Sequence, residues 1–361
     1  MHALATRIDA DVPGHVHRVL ADYFESRRTQ TDSIGADVTE ALAALADFVL
    51  GGGKRIRPTF AWWGWRGAGG AADGPVADAV LRAISALELL QAGALVHDDL
   101  MDASSVRRGA PTVHIAFAAR HRADGLCGEP ERFGLAAAVL LGDIALTWAD
   151  DRFRTAGLPA DALARALPPW QAMRTEMLAG QYIDMLTQAH GDESADAALR
   201  IDRWKTAAYT VQRPLHIGAA IAGADPTVIA AYGRFGADLG IAFQLRDDLL
   251  GVFGDPAVTG KPAGDDIREG KRTLLMALGM RQAEPAAAAL LRSSLGRPDL
   301  SADDVTSVRT LLVDAGAVAA VEQRITELTT SALATLAAAP IAVPAAERLA
   351  ELAVSATRRD H

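Results

Sequence analysis

The 361-residue chain has the length of about two average domains, half of its residues are hydrophobic, and only 5% are aromatic. A formal charge of −9 excludes a nucleic-acid surface, which would need a basic patch against phosphates, so any anionic ligand must be held by a local cluster. The single cysteine, Cys127, excludes an intramolecular disulfide and a cysteine-ligated metal, in keeping with a reducing cytoplasm.

The opening stretch MHALATRIDADVPG has no basic region followed by an apolar run, so it does not read as a secretory signal. Helical spacing covers VTEALAALADFVL (38–50) and stops at Gly51, Gly52 and Gly53, where the backbone is free to turn. GWRGAGGAADGP (64–75) reads as a loop, and 76–103 as one long helix with apolar positions three and four apart. A second loop spans 121–134, and a helix follows from Leu135 to about Phe153. Its apolar run GLAAAVLLGDIALTWA (134–149) is too short for a membrane span and carries Asp143 near its middle. The expectation is therefore a soluble, cytoplasmic protein without a membrane span. Further helices are expected near 161–188, 196–222, 226–253, 271–296, 302–315, 317–338 and 344–358. Period-two alternation is nowhere sustained, and the small apolar residues favour close-packed helices over strands. The fold class is all-α, and with no linker between halves the whole chain, 1–361, is expected to form one domain.

Three local patterns carry no function. The glycines of GAGGAADG lack a preceding strand, and TGKP has Pro262 where a P-loop needs serine or threonine, so neither nucleotide motif stands. His97 and His114 have no third ligand at zinc-site spacing.

Charge is concentrated in VHDDLMDASSVRRGAPTVH (96–114). Asp98 and Asp102 share one helix face with Asp99 beside them, and like charges at that spacing destabilise a helix unless a cation joins them. A solvated acidic face is the plain alternative. Against it, the apolar LELLQAGALV precedes the acids, and a second acidic set lies downstream. There Gln244, Asp247, Asp248 and Gly251 fall on one helix face, which runs into a loop carrying Lys261, Asp265, Asp266 and Lys271. Two carboxylate-bearing helices facing across a cavity suit magnesium, which keeps waters and completes its octahedron with phosphate oxygens. Lys54, Arg55 and Arg57 follow the glycine turn in GGGKRIRP, and Arg107 and Arg108 follow the first acids. Such clusters match phosphate geometry without metal. One diphosphate bridged through metal and a second held directly by cations is the reading these charges support.

Taken together, GGGKRIRP, DDLMDASSVRRG, GQYIDM, KTA and FQLRDDLLGVFGDPAVTGKPAGDDIREGKRT resemble the trans-isoprenyl diphosphate synthases, or polyprenyl synthetases, in order and spacing over about residues 35–330. The likeness is greatest to bacterial geranylgeranyl diphosphate synthases. It implies the all-α isoprenoid synthase fold, a homodimer, three magnesium ions per site, and head-to-tail condensation of isopentenyl diphosphate with an allylic diphosphate. By the same resemblance Asp98, Asp99 and Asp102 hold magnesium on the allylic diphosphate, and Asp247 and Asp248 hold the remaining metal from the opposite wall. Lys54, Arg57, Gln91 and Arg108 match the isopentenyl diphosphate site, and Arg107, Lys205 and Lys261 the allylic diphosphate site. Thr206, Gln181, Asp184 and Gln244 line the reaction centre, and Lys271 belongs to a lid.

The chain departs from the family at Gly251, where a third aspartate is common, and Asp255 is no substitute because the family has an acid there too. Closure of the 254–270 loop and of the C-terminal segment with Arg358 and Arg359 would exclude water; a solvated tail is the alternative for those arginines. Product length turns on Gly93 and Ala94, which leave the tail path open, with Leu90 and Leu87 continuing that face and Trp148 either closing the pocket or serving structure. Geranylgeranyl diphosphate is the expected product, a longer all-trans polyprenyl diphosphate the alternative. A terpene cyclase would not need Lys54, Arg57, Gln91 and Arg108; a non-catalytic partner subunit would typically lack an aspartate motif.

Overall fold

A computed structural model describes residues 8–255 and 264–358. A short turn at Ile8–Ala10 leads into α1 (Val12–Asp32), α2 (Ala36–Leu50), α3 (Ile56–Gly67) and α4 (Pro75–Met101). A hairpin of β1 (Val106–Arg107) and β2 (Ala110–Pro111) pairs Val106 with Pro111 and Arg107 with Ala110. Then come α5 (Val113–Ala123), α6 (Pro130–Arg154), α7 (Ala160–His190) and α8 (Ala195–Ile201). The last of these continues through a wide π-type stretch, Asp202–Gln212, into α9 (Arg213–Ala222). The chain proceeds through α10 (Pro226–Phe253), α11 (Asp265–Glu269), α12 (Leu274–Gln282), α13 (Pro285–Ser294), α14 (Ala302–Asp314), α15 (Ala317–Ala337) and α16 (Val343–Thr357). The all-α expectation holds.

Two cores share α10. Its first half gives Val228, Tyr232, Phe235 and Leu239 to the larger core with α1, α3, α4, α7 and α9. Its second half gives Ala242, Leu245, Leu249 and Val252 to a smaller core with α12, α14 and α15. The acidic end of α10 is thus anchored on its apolar side while its polar face stays open.

Four helices were not expected, the short α11 among them. In α1, Val12, Val16, Leu20, Tyr23 and Phe24 are buried at helical spacing, and Asp11 caps the start by accepting from Gly14 N at 2.8 Å; the polar remainder of that helix masked the signal. The stretch 64–75, read as a loop from its glycines, begins inside α3. A Cβ at Gly64 would lie 2.9 Å from Leu215 Cα and one at Gly218 would lie 3.0 Å from Ala61 C. These glycines let α3 and α9 cross backbone to backbone, burying Trp62 and Trp63 in the process. α5 was also missed. The single helix expected at 271–296 is two helices, because Pro285 cannot continue α12 and starts α13 instead.

Among the described residues two helices are long and apolar enough to cross a membrane by length and composition, which revises the expectation drawn from the 134–149 run. The apolar window of α4 is 78% buried, so α4 is a core helix; that of α6 is 33% buried, so one side of α6 packs on α4 and α5 and the other is open.

Candidate active site

The C-terminal ends of α4 and α10 converge with α7, the π stretch and the α11–α12 junction on a cavity of ≈ 550 Å³. One wall carries Asp98 and Arg107, the other Gln244, Asp247 and Asp248, and Asp184, Lys205 and Thr206 lie between them. The π stretch is wedged between glycines. A Cβ at Gly180 of α7 would lie 2.6 Å from Lys205 Cα, and one at Gly240 of α10 would lie 2.6 Å from Ala207 Cβ. Wide helical turns of this kind concentrate at functional sites, and here the wedge places Lys205 and Thr206 against both walls.

The first wall is built by the hairpin. Three aspartates at a helix C-terminus oppose its dipole. Relief comes from the turn at Arg108 (φ 54°) and Gly109 (φ 74°), which sends the chain back over the helix end. A left-handed arginine costs on the order of 1 kcal/mol, and such strain clusters at functional sites. Arg107 then donates from Nε to Asp99 Oδ1 at 2.7 Å and from a terminal nitrogen to Asp98 Oδ2 at 3.4 Å. Lys205 donates to Asp98 Oδ1 at 3.3 Å and to Asp184 Oδ2 at 2.7 Å. Burial pushes Asp98 up, but Lys205, Arg107 and Lys271 together hold it below the usual carboxylate range. Asp102 is raised to about 6, first by burial and then by Asp98. Asp99 is 1% exposed, lies outside the cavity lining as Asp102 does, and pairs with Arg107.

On the second wall a relay runs from Thr206 Oγ1 to Gln244 Oε1 (2.7 Å) and from Gln244 Nε2 to Asp248 Oδ1 (2.6 Å). Burial, and then Asp266, raise Asp248 to about 8. Asp202, buried in the cavity wall, is raised well above the carboxylate range by burial and then by Asp248 and Asp184. Nothing in the sequence around Asp202 marked it. Lys271 binds Asp266 at 3.0 Å and Glu269 at 2.8 Å, and Ser104 donates to Glu269 at 2.9 Å, tying the segment after Asp102 to α11. Lys261 lies outside the described residues.

The other basic cluster gathers around Tyr209. Its hydroxyl donates to Gln91 Oε1 at 2.7 Å, and Arg57 stacks over its ring at 4.2 Å while donating to Thr210 Oγ1 at 2.9 Å. Arg108 lies against the Gly52–Gly53 turn and over Phe48. Burial lowers its pKa, and Arg107, Arg55 and Arg57 push the same way. Lys54 lines the cavity edge. Arg57 and Gln91 are thus joined through Tyr209, an organising ring that sequence spacing gave no means of seeing, and Arg108 lies by the glycine turn. Arg55 does not join them. It is buried against Glu88 (2.6 Å) and Val49 O (2.7 Å), a structural pair.

Gln181 is buried and donates to Met101 Sδ at 3.8 Å, linking α7 to the end of α4. The tail-path expectation is corrected at Gly93. A Cβ there would meet Leu146 Cγ at 2.8 Å and Gly142 O at 2.9 Å, so this glycine serves the α4–α6 crossing. Ala94 stays half-buried beside cavity-lining Leu95, and Leu87 and Leu90 are wholly buried. Trp148 packs edge-on to Tyr23 at 6.1 Å and near Phe24 at 6.1 Å. His97 sits against Val139 O at 3.2 Å and His114 against Thr112 at 3.2 Å, so they form no common ligand set. Arg358 ends α16 exposed, and Arg359 lies outside the described residues.

The donor set fits a hard divalent cation. Asp248 Oδ2 is buried without a hydrogen-bond partner, and burial raises both Asp102 and Asp248 above the usual carboxylate range, so a cation beside them would favour their ionised forms. Among the described residues no three acidic or imidazole side chains already form a metal cage.

A family model described as Polyprenyl synthetase matches residues 39–312. A geranylgeranyl diphosphate synthase of Mycobacterium tuberculosis is 34% identical over 87% of this chain and 82% of its own. A geranylfarnesyl diphosphate synthase of Aeropyrum pernix is 33% identical over 78% of this chain and 82% of its own. A crystal structure of geranylgeranyl pyrophosphate synthase from Corynebacterium glutamicum, complexed with isoprenyl diphosphate and magnesium, superposes with a TM-score of 0.93 at 47% identity, covering 99% of this chain and 100% of that one.

Proposed function

This chain belongs to the polyprenyl synthetase family, and from that premise we propose that it condenses isopentenyl diphosphate head-to-tail with an allylic diphosphate to give geranylgeranyl diphosphate, using three magnesium ions per site. The observation that carries the reading is the pair of carboxylate walls, Asp98 on one side and Asp247 with Asp248 on the other side of one cavity, beside the cluster of Arg57 and Gln91 around Tyr209.

Magnesium bound by those carboxylates would supply Lewis-acid withdrawal of charge from the allylic diphosphate leaving group. The protein does the rest. Lys205 and Arg107, fixed by Asp184 and Asp99, hold cationic donors where the diphosphate charge grows as the carbon–oxygen bond breaks. Arg57, Arg108 and Lys54 fix the second diphosphate so that its double bond meets the allylic carbon, an orientation effect worth several powers of ten. The Thr206 hydroxyl and the Gln244 carbonyl, joined at 2.7 Å, put fixed dipoles beside the developing cation. The proton lost after carbon–carbon bond formation goes to the diphosphate just released.

The reading includes a homodimer. Leu135, Val139 and Leu140 of α6 and Leu178, Tyr182 and Met185 of α7 are exposed, and an apolar face of this kind marks an association surface. Light scattering on the eluted protein tests it: a mass of one chain would refute the dimer. The activity test is incubation of purified protein with magnesium, labelled isopentenyl diphosphate and, separately, dimethylallyl, geranyl and farnesyl diphosphates. A dominant geranylgeranyl product is expected; a longer ladder would overturn the product, and no turnover with any starter would overturn the reaction.

A further inference from the structure

The turn that carries Lys54 and Arg57 is held by a side chain outside the cavity lining. Arg55 is the residue before α3, sits in the left-handed region (φ 50°), and is 6% exposed. A left-handed arginine costs on the order of 1 kcal/mol, and its contacts show what offsets that. One terminal nitrogen donates to Val49 O at 2.7 Å and so closes α2, while the Arg55 carbonyl accepts from Thr59 N at 3.1 Å and Thr59 Oγ1 at 2.7 Å inside α3. One residue thus ties the end of α2 to the start of α3, with 51–54 as the loop between them. The other terminal nitrogen of Arg55 donates to Glu88 Oε2 of α4 at 2.6 Å, and Glu88 is 7% exposed. Arg108 enters the same turn. A Cβ built at Gly53 would lie 3.3 Å from one Arg108 nitrogen and 3.7 Å from one of Arg55, so two guanidinium groups flank a single glycine. Like charges that close repel unless an acid is near. Glu88 is that acid: burial lowers the Arg108 pKa and Arg107, Arg55 and Arg57 push the same way, whereas Glu88 pushes it up. Burial also raises Tyr209, the ring that Arg57 stacks on, and Glu88 adds to that rise while Arg57 opposes it.

We propose that Glu88 is a positioning residue for the second diphosphate: its buried carboxylate holds Arg55, and through it the glycine turn, and offsets the Arg55 charge so that Arg108 can lie against Gly52 and Gly53 as a phosphate ligand. The inference rests on the reading that Lys54, Arg57 and Arg108 hold isopentenyl diphosphate. Glu88 does not line the cavity, so it acts through the two arginines. The cations for the second diphosphate are thereby gathered before substrate arrives, which reduces the ordering entropy lost on binding.

The test is steady-state kinetics of the purified full chain with magnesium, varying isopentenyl diphosphate at saturating farnesyl diphosphate and then the reverse. Glu88→Gln keeps the shape and an acceptor for Arg55 and removes the charge. It is expected to raise the KM for isopentenyl diphosphate about tenfold, the scale of one charged hydrogen bond lost. The turnover number and the KM for farnesyl diphosphate are expected to stay within about twofold, as when binding is lost and transition-state contact is not. Glu88→Asp, which restores the charge on a shorter arm, should recover most of the loss. Because Glu88 works through Arg108, adding Glu88→Gln to Arg108→Ala should raise that KM no further. Should Glu88→Gln alone fail to fold, Arg55→Gln with Glu88→Gln removes both buried charges together and is expected to bind isopentenyl diphosphate nearly as tightly as the native chain, since nothing then displaces Arg108. An unchanged or lower KM for isopentenyl diphosphate in Glu88→Gln would overturn the proposal, as would equal losses for both substrates, which mark a purely structural pair. Additive losses with Arg108→Ala, or an Arg55, Glu88 double variant as weak as Arg108→Ala, would overturn it too. If Arg57→Ala and Arg108→Ala raise the KM for farnesyl diphosphate and leave that for isopentenyl diphosphate unchanged, it is the assignment of the second diphosphate that fails.

Discussion

Asp98 and Asp248, one on each carboxylate wall, are held in opposite electrostatic states. On the α4 side Arg107 and Lys205 sit on Asp98 and keep it ionised despite burial, while on the α10 side Asp248 is raised to about 8 and one of its oxygens has no partner. Both walls began as two adjacent aspartates ending an apolar helix. The difference lies in what the neighbouring chain brings: the hairpin folds an arginine over α4, whereas α11 sets another carboxylate against α10. One wall is prearranged by the protein's own cations, and the other is completed by a cation from outside.

If the comparison is right, the largest loss follows from removing the ionised member. Asp98→Ala is expected to lower kcat/KM by about a thousandfold, as for loss of a principal electrostatic group, and steady-state kinetics with farnesyl and isopentenyl diphosphates would check it. A loss under tenfold would break the asymmetry. Next in size is Arg107→Ala, which strands the Asp99 carboxylate in a buried site. Breaking a buried pair from one side costs about 3 kcal/mol, and urea unfolding without metal measures it; Asp99→Asn in the same background should recover part of that loss.

The pH dependence sharpens the contrast. A carboxyl group raised in the folded state binds more protons folded than unfolded, so its contribution is fully present below the unfolded pKa and is lost as pH rises through the folded value. For Asp102, raised to about 6, and Asp248, raised to about 8, the metal-free protein should lose stability between about pH 4 and pH 8. Asp98 is shifted the other way, and its contribution disappears only as pH falls below the ordinary carboxylate range. Thermal melts from pH 5 to 8 should therefore slope downward, Asp248→Asn should flatten the upper part, and magnesium with pyrophosphate should reverse the slope. A flat metal-free profile would mean the second wall is no different from the first. The smallest expected effect is Gly93→Ala, whose added methyl meets Leu146 and Gly142 across the α4–α6 crossing. Overpacking there costs about 1–3 kcal/mol, seen as a lower Tm with unchanged product length; a shorter product would return Gly93 to the tail path.

Much of this was legible in the chain itself. The helical period, the paired aspartates on one face of each helix and the basic residues after the glycine turn are local patterns, fixed by residues within a few turns of one another. The motif order also fixed the family. Spacing could not say which acid turns toward the cavity: Asp98 and Asp99 are neighbours, yet Arg107 draws Asp99 into the protein because the hairpin happens to fold over that side. Nor could it separate Arg55, sunk against Glu88, from Arg57, which stacks on Tyr209. Glycines misled for the same reason. Gly64 read as a break along the chain, and its purpose, a backbone crossing against α9 that Gly218 shares, exists only between helices. Gly251 looked like a missing ligand, and the carboxyl group of Asp266 lies where its Cβ would be. The sequence determined the helices, the chemical groups and the reaction class, because those depend on local period and residue type. Only the tertiary structure decided which charges meet, since pairing, desolvation and overlap are set by distances between segments far apart in the chain.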